Sequence, residues 1–353
     1  MPAYLNAIGT AVPGHDVHRA FIDWAAERIA DPRRRSVFLR MAERSGIGNR
    51  WSVLPEGEEG GSPVGPSGFY HGRNPTTAER MAVYGEAAPK LALDAIRALP
   101  VPIGGITHLV VASCTGFVAP GIDQIIAAEL GLPGHVERTL VGFMGCYAAV
   151  AALRTAYHIV RSEPQARVLV VTVELSTLHL QYDDALEPLL AMLQFGDGAA
   201  AMLVSGDPTG FGIERPFAAT LPDSNSLIQW HVGDNGFVMQ LSGEVPGRIA
   251  EALRQPAFKA QLLDEAEGGG AVDAWAVHAG GRSVIDAVEH GLGLPSEALA
   301  ASRDVLMRFG NMSSSTLPFV LAELIQQPER RRGVALAFGP GLAAEGFRFH
   351  RAP

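Results

Sequence analysis

The hydrophobic positions of this chain fall into short, nearly uninterrupted apolar runs that alternate with longer amphipathic or apolar stretches. Runs of strand length cover 108–112, 168–173 and 199–204. Strands that are apolar at almost every position are typical of sheets covered on both faces. Helical stretches at 122–130 and 147–162 lie between them, and the second is apolar nearly all round, as in a helix inside a protein. This alternation predicts a layered α/β fold.

The second half of the chain repeats the order of elements in the first half. A strand-like run at 274–278 precedes a helical stretch at 283–290. The phrase Leu-Gly-Leu-Pro follows at 292–295, as the same phrase does at 130–133 after the first strand and helix. Two copies of one strand-helix-helix-strand unit are therefore predicted.

The spacing after the two Leu-Gly-Leu-Pro phrases makes two distant residues equivalent. The first phrase ends 13 residues before Cys146 (146 − 133), and the second ends 16 residues before Asn311 (311 − 295). We therefore expect both residues at the same corner of their copies. An approximate twofold axis relating an N-terminal half, 1–207, to a C-terminal half, 208–353, would bring both corners to the centre of the molecule.

Composition narrows the classes of protein that fit this pattern. With 353 residues, 47% hydrophobic and 18% charged, the chain can bury a large core. Its net charge of −9 and few lysines argue against a nucleic-acid partner. Two cysteines make no disulfide scaffold, so a cytoplasmic location is the simplest expectation. We expect no membrane span, because no window approaches 18 uninterrupted apolar residues, and no metal, because no CxxC or HExxH spacing occurs.

Three segments place a nucleophile, a base and an amide donor at junctions that lead into helices: Cys146, His278 and Asn311. A cysteine at a helix start is expected to have a lowered pKa, and a nearby imidazole would lower it further. Taken singly, each residue has a plainer interpretation: an inert buried thiol, a structural histidine and a helix cap. The internal repeat favours the catalytic interpretation, because it predicts that Cys146 and Asn311 converge without any chemical assumption.

Given convergence, the three side chains suit thioester chemistry. Cys146 would attack a thioester carbonyl, and His278 would sustain an imidazolium-thiolate pair. His278 and the Asn311 amide could then donate hydrogen bonds to an oxyanion or enolate, as decarboxylation of a malonyl thioester requires. A Cys-His-Asn set also occurs in papain-like proteases. The position of Cys146 in mid-chain, within a duplicated α/β core, argues against that class.

Five strings carry a family resemblance: GFMGC (142–146), FGDGAAA (195–201), HAGG (278–281), GNMSSS (310–315) and AFGPG (337–341). Over nearly the whole chain they resemble type III polyketide synthases, the chalcone and stilbene synthase group of the thiolase-like superfamily. The resemblance implies a five-layered αβαβα sandwich of two duplicated halves and a homodimer. It also implies acyl-CoA and malonyl-CoA as substrates, no metal or organic cofactor, and catalysis by the Cys-His-Asn set.

Other positions carry roles only through this resemblance. Phe195 matches a gatekeeper between the CoA tunnel and the cavity, and Met239 replaces a second gatekeeper. The expected cavity residues are Phe195, Met239, Cys114, Thr115, Glu174, Ser176, Trp230, Gly339 and Pro340. The expected CoA-binding residues are Arg40, Arg44 and Ser283. Core packing for Phe195 and Cys114, and a solvated helix face for the arginines, are the plainer alternatives.

The stretch 206–247 lacks clear periodicity and is expected to form an insertion or hairpin that frames a pocket. Its Trp230 to Phe237 segment resembles bacterial members that accept fatty acyl starters. We therefore expect a synthase that loads a medium- or long-chain fatty acyl-CoA on Cys146, extends it with malonyl-CoA and cyclises it to an alkylpyrone or alkylresorcinol. The alternatives are a ketoacyl-ACP synthase III-like single condensation, a type III synthase with a small or aromatic starter, and a non-catalytic thiolase-like scaffold.

Overall fold

The computed structural model describes residues 2–56, 62–263 and 272–353. Numbered in chain order, the strands are β1 Ala3–Ala11, β2 His15–Asp16, β3 Trp51–Ser52, β4 His108–Ser113, β5 Glu137–Gly142, β6 Arg167–Leu175, β7 Asp197–Ser205, β8 Phe211–Thr220, β9 Ile228–Gly233, β10 Gly236–Leu241, β11 Ala274–Val277, β12 Arg332–Gly339 and β13 Ala343–Arg351. The helices are α1 His18–Arg28, α2 Pro32–Glu43, α3 Thr77–Arg97, α4 Ile122–Glu129, α5 Ala148–Ser162, α6 Leu186–Met192, α7 Val245–Arg254, α8 Pro256–Leu263, α9 Arg282–Leu292, α10 Ala300–Phe309 and α11 Thr316–Ile325.

The main sheet has the strand order β11-β12-β13-β8-β1-β7-β6-β4-β5. Its two halves repeat one pattern, because β4, β6, β7 and β1 correspond in order and direction to β11, β12, β13 and β8. In each half the first two strands are parallel and the later pairings are antiparallel. The halves join where Ala3–Leu5 of β1 pairs with β8. The duplication predicted from the spacing is confirmed.

Side chains alternate along the strands, so both faces of the sheet are covered. In β4, Leu109 and Val111 face the core that contains α3 and α4, whereas Val110 and Ala112 face the core that contains α5 and α11. The C-terminal half of the sheet, with Trp275 of β11, packs against α7, α9 and α10. The core that contains α5 and α11 also takes in Ala335 and Phe347 from the C-terminal half of the sheet, so the two halves of the sheet lie on either side of these helices. The layers are therefore α, β, α, β and α, as the family resemblance implied. Among the described residues, no helix is both long and apolar enough to cross a bilayer.

The two helices of the middle layer, α5 and α11, bring the candidate chemistry together. Each is preceded by a short 3-10 turn, Gly145–Tyr147 before α5 and Ser313–Ser315 before α11. These turns contact each other at the centre of the molecule. The equivalent corners predicted for Cys146 and Asn311 are thus adjacent in space.

Candidate active site

Cys146 lies in the 3-10 turn that leads into α5, and its thiol is buried. Gly145 before it has a φ of +74°, and a Cβ there would lie 2.4 Å from Cδ of Pro340. Only glycine fits this position, because both the backbone angle and the close approach exclude a side chain. The Ser313 hydroxyl donates toward Cys146 Sγ at 3.7 Å. The turn is thereby fixed with its sulfur facing the start of α11.

Asn311 is held by both its backbone and its side chain. Its Oδ1 accepts from the Ser313 N–H at 2.8 Å, and its Nδ2 donates to the Gly280 carbonyl at 3.1 Å. These two bonds fix the orientation of the amide and leave one N–H of Nδ2 for another acceptor. The Asn311 side chain also interacts with the thiol of Cys146.

His278 follows β11 and lies beside the same glycine that Asn311 contacts. Its backbone N–H donates to the Leu336 carbonyl at 2.8 Å, and a Cβ on Gly280 would lie 3.3 Å from the His278 Nε2. Both ring nitrogens are buried and have no hydrogen-bond partner among the described residues. Burying a ring nitrogen without a hydrogen bond costs free energy, so these two nitrogens are candidates for hydrogen bonds to a bound ligand. The structure therefore brings all three predicted catalytic side chains to one place.

Burial sets the charge states of this site and corrects one expectation. It raises the pKa of Cys146 to about 11, against the opposing hydrogen bonds from Ser313 and Asn311. Burial also lowers the pKa of His278 to about 4. The expectation that a helix start lowers the pKa of Cys146 is wrong for the free site, because loss of hydration outweighs the hydrogen bonds. At neutral pH, Cys146 is therefore a neutral thiol and His278 a neutral imidazole.

A cavity of about 350 Å³ begins at Cys146 and extends into the N-terminal half. The hairpin formed by β9 and β10 covers one side, as expected, and pairs Trp230 directly with Met239. The Trp230 indole N–H donates to the Cys114 carbonyl at 2.9 Å. The sequence-predicted residues that line the cavity are Cys114, Thr115, Cys146, Ser176, Phe195, Trp230, Met239 and Pro340.

Glu174 and Gly339 lie behind the cavity wall rather than on it. The carboxylate of Glu174 is fully buried and accepts from the Cys114 N–H at 3.0 Å, the Thr115 hydroxyl at 2.8 Å and the Ser314 hydroxyl. Burial raises its pKa. Glu174 therefore ties the cavity wall to the turn before α11, and its predicted place on the wall is corrected to one behind it. Gly339 packs against the turn that carries Cys146, since a Cβ there would lie 2.7 Å from the Tyr147 ring and 3.3 Å from the Cys146 nitrogen.

Two aromatic residues of the wall were missed from the sequence. His179 stacks on Phe237 with ring centroids 4.2 Å apart and lies edge-on to Trp230. Its Nδ1 accepts from the Phe237 N–H at 3.0 Å, which leaves Nε2 to donate to the Thr115 carbonyl at 2.7 Å. Burial lowers its pKa to about 3, so this neutral tautomer is fixed. No sequence pattern marks these contacts, because they join a 3-10 turn to a distant hairpin.

The far end of the cavity comes from segments that sequence reasoning did not connect with the site. They are helix α1, the residues around β3, the loop that begins at Ser62, and helix α6. The residues that line this end include Val17, Ala20, Phe21, Leu54, Val64, Tyr70, Leu180, Ala191 and Met192, with Arg50, Ser52, Ser62, Gln181 and Asp183 as polar or charged members. Because apolar side chains dominate there, this end suits an apolar ligand.

The expected CoA-binding residues are exposed on one surface next to Phe195. Arg40 and Arg44 lie at the end of α2, and Ser283 lies in the first turn of α9. Arg282 joins the two helices by donating to the Arg44 carbonyl at 3.2 Å. Gly281, which precedes α9, packs against Gln194, the neighbour of Phe195. Unpaired amides of a helix start and nearby arginines form an environment that suits phosphate groups.

Comparison with known proteins gives consistent matches along the chain. The family model for chalcone and stilbene synthases matches residues 1–208 with its N-terminal domain and residues 214–353 with its C-terminal domain. The alpha-pyrone synthesis polyketide synthase-like Pks18 of Mycobacterium tuberculosis is 34% identical over 98% of this chain and 91% of its own length. Type III polyketide synthase C of Arabidopsis thaliana is 33% identical over 78% of this chain and 76% of its own length.

Solved structures match equally well. The C-terminal type III polyketide synthase domain of Steely1 from Dictyostelium superposes with a TM-score of 0.90 and 27% identity over all of both chains. PKS-I from the brown alga Ectocarpus siliculosus has a TM-score of 0.88 and 28% identity over 99% of this chain and 98% of its own. The chain therefore belongs to the chalcone and stilbene synthases, the type III polyketide synthases, and is an acyltransferase that joins acyl units by decarboxylative condensation.

Proposed function

We propose that this synthase loads a medium- or long-chain fatty acyl-CoA on Cys146 and extends it with malonyl-CoA to an alkylpyrone or alkylresorcinol. Type III polyketide synthases work on acyl-CoA and malonyl-CoA. The observation that carries the choice of starter is the apolar far end of the cavity, which lies beyond Cys146 between α1 and α6. Burial of an alkyl chain there is favourable by about 0.8 kcal/mol per methylene.

Loading is proposed to use the neutral thiol and imidazole at rest. His278 accepts the proton of Cys146 as sulfur attacks the thioester carbonyl, and the CoA thiolate leaves and takes up that proton. Protonated His278 donates to the oxyanion that forms in between. The two unpaired ring nitrogens of His278 support its role as the proton carrier.

Extension is proposed to begin with malonyl-CoA held by two donors, His278 and the free N–H of Asn311. Cleavage of its carboxyl carbon releases CO₂ and leaves an enolate, whose negative oxygen accepts from His278 and Asn311. The enolate carbon attacks the acyl group on Cys146, and the bond to sulfur breaks to return the thiolate. These steps need hydrogen-bond donors and a nucleophile, so we propose that no metal or organic cofactor takes part.

Cyclisation is proposed to occur in the region of the cavity lined by Cys114, Thr115 and Ser176. Cys114 Sγ lies 3.2 Å from the Ser313 hydroxyl, which itself contacts Cys146, so this polar part of the wall adjoins the nucleophile. The name of the Mycobacterium relative refers to alpha-pyrone synthesis, which supports lactone closure.

A homodimer is also proposed, through the free edge of the main sheet. β5 ends the strand order, and most of its residues are exposed. Leu140 on this strand and Phe117 beside it are 47% and 48% exposed and line one hollow. An exposed sheet edge flanked by large apolar side chains is a ready template for a second copy.

Both cysteines are free thiols, which fits the cytoplasmic location that we propose.

The test is incubation with malonyl-CoA and a ladder of acyl-CoA starters, with products identified by mass. Alkylpyrones or alkylresorcinols from medium- or long-chain starters are expected. Single-extension products, or turnover confined to small or aromatic starters, would refute the proposed starter and product. Intact-protein mass spectrometry of Cys146→Ala should show no acyl adduct, whereas Cys114→Ala should load normally. An acylated Cys146→Ala protein would contradict the role of this thiol.

A further inference from the structure

Arg50 is a buried cation that no motif assigned to the site. Its side chain is 3% exposed and borders the cavity. Its Nη1 donates to the carbonyls of Phe195 at 2.7 Å and Met192 at 3.1 Å. The guanidinium also lies 4.7 Å from the centre of the Phe21 ring. Arg50 thus holds the backbone that connects α6 to the gate residue Phe195.

The backbone that Arg50 holds is also paired with Asn311. The N–H of Asn311 donates to the Gln194 carbonyl at 2.8 Å, and the N–H of Gly196 donates to the Asn311 carbonyl at 3.0 Å. On the other side, a Cβ on Gly310 would lie 2.9 Å from Cγ of Arg50 and 2.9 Å from the Gln194 carbonyl. Arg50 therefore packs directly against both segments that form this bridge.

Keeping Arg50 charged in the protein interior costs desolvation free energy, which a neutral core residue would not. Burial lowers its pKa to about 10, still well above neutral, while Asp16 and Asp197 oppose this shift. Its Nε donates to His18 Nδ1 at 2.9 Å, and its backbone N–H donates to Asp16 at 3.0 Å. A buried ion is weak evidence for stability, because desolvation offsets its attractions. Its planar group can, however, span several carbonyls at once, which lysine cannot do.

We propose that Arg50 is a positioning residue that sets the place of the Asn311 amide and of Phe195 for decarboxylation and condensation. The inference rests on the proposed role of Asn311. Arg50 acts through the Gln194 to Gly196 backbone and does not itself touch the reacting atoms. Acyl loading depends on Cys146 and His278, which Arg50 does not contact. Loss of Arg50 should therefore slow decarboxylation and condensation without slowing acyl loading.

The experiment compares Arg50→Lys and Arg50→Gln with Arg351→Lys. Arg351 is a matched control, because it also donates to several backbone carbonyls and lies 4.9 Å from a phenylalanine ring, at the far C-terminal strand. Acyl transfer to Cys146 is followed by intact mass, and conversion of malonyl-CoA to acetyl-CoA is followed without starter. Both rates are divided by the amount of protein whose Cys146 can be acylated, so that any unfolded fraction does not contribute.

Both Arg50 variants are expected to load acyl groups within about twofold of the control, and to decarboxylate malonyl-CoA roughly tenfold to a hundredfold more slowly. The double variant of Arg50 with Asn311→Ala should decarboxylate malonyl-CoA no more slowly than Asn311→Ala alone, because Arg50 acts through the Asn311 amide. Equal losses in both half-reactions, or in Arg50→Lys and Arg351→Lys alike, would overturn the inference. A wild-type protein that neither loads nor decarboxylates would instead refute the proposed function.

Discussion

Replacing His278 with alanine should make the reactivity of Cys146 follow the raised pKa that burial imposes on its thiol. With that pKa at about 11, the thiolate fraction at pH 7 is about one in ten thousand, since 11 − 7 is 4 units. Forming the thiolate at pH 7 therefore costs about 5 kcal/mol of free energy. In the wild type, His278 can accept the proton. Moving it from a thiol of pKa about 11 to an imidazole of pKa about 4 spans 11 − 4 = 7 units, about 9.5 kcal/mol, and opposite charges about 4 Å apart recover roughly 4 kcal/mol at an effective dielectric constant near 20. The ion pair therefore costs about 5.5 kcal/mol, comparable with the free thiolate at pH 7, and it adds a route to the thiolate that does not depend on pH.

The assay is alkylation of Cys146 by iodoacetamide from about pH 6 to about pH 10, read by peptide mass. In His278→Ala, the rate should rise about tenfold per pH unit without a plateau, because a raised thiol pKa leaves the thiolate scarce until pH approaches that pKa. The wild type should react faster at pH 7 and show a shallower slope. Cys114, whose pKa burial also raises, serves as the internal comparison.

His290→Ala is the matched control, because His290 is a histidine of α9 that bonds the Asp286 carbonyl and lies on the exposed side of that helix. Its profile should equal that of the wild type. Identical profiles for His278→Ala and the wild type would show that His278 does not carry the proton of Cys146. A plateau below pH 8 in His278→Ala would show that burial does not control this thiol.

Three further outcomes are expected. Arg40→Ala and Arg44→Ala should each raise the KM for malonyl-CoA about twofold to fivefold at low salt, as exposed charge pairs do, and the effect should shrink at high salt in steady-state assays. Cys114→Ala should change product ratios more than malonyl-CoA consumption, measured together by chromatography, and equal changes would count against a role in ring closure. Glu174→Gln should lower the free energy of unfolding by about 1–3 kcal/mol for each donor left unpaired, measured by urea denaturation. An unchanged midpoint would show that the bonds to Cys114 and Ser314 contribute nothing.

The pattern of apolar residues along the chain was sufficient to predict a duplicated α/β fold, because periodicity and spacing can be observed in the sequence without knowledge of tertiary contacts. The apolar runs at 108–112 and 168–173 became β4 and β6, and the helical stretch at 147–162 became α5. The repeated spacing also placed Cys146 and Asn311 at equivalent corners, since two copies of one unit pack around a common axis. Those corners meet where the turns before α5 and α11 touch.

By itself, then, the sequence determined a duplicated α/β fold and the meeting of the two corners that hold Cys146 and Asn311, and the five layers were implied by the family resemblance. Only the tertiary structure decided the direction of the Cys146 pKa shift, because desolvation depends on everything that surrounds the thiol. It also decided the apolar end of the cavity, the stacking of His179 on Phe237 in its wall, and the hydrogen bond from Arg50 to the Phe195 carbonyl. These features join segments that are far apart in the chain, and no local pattern encodes which distant side chains will share a boundary.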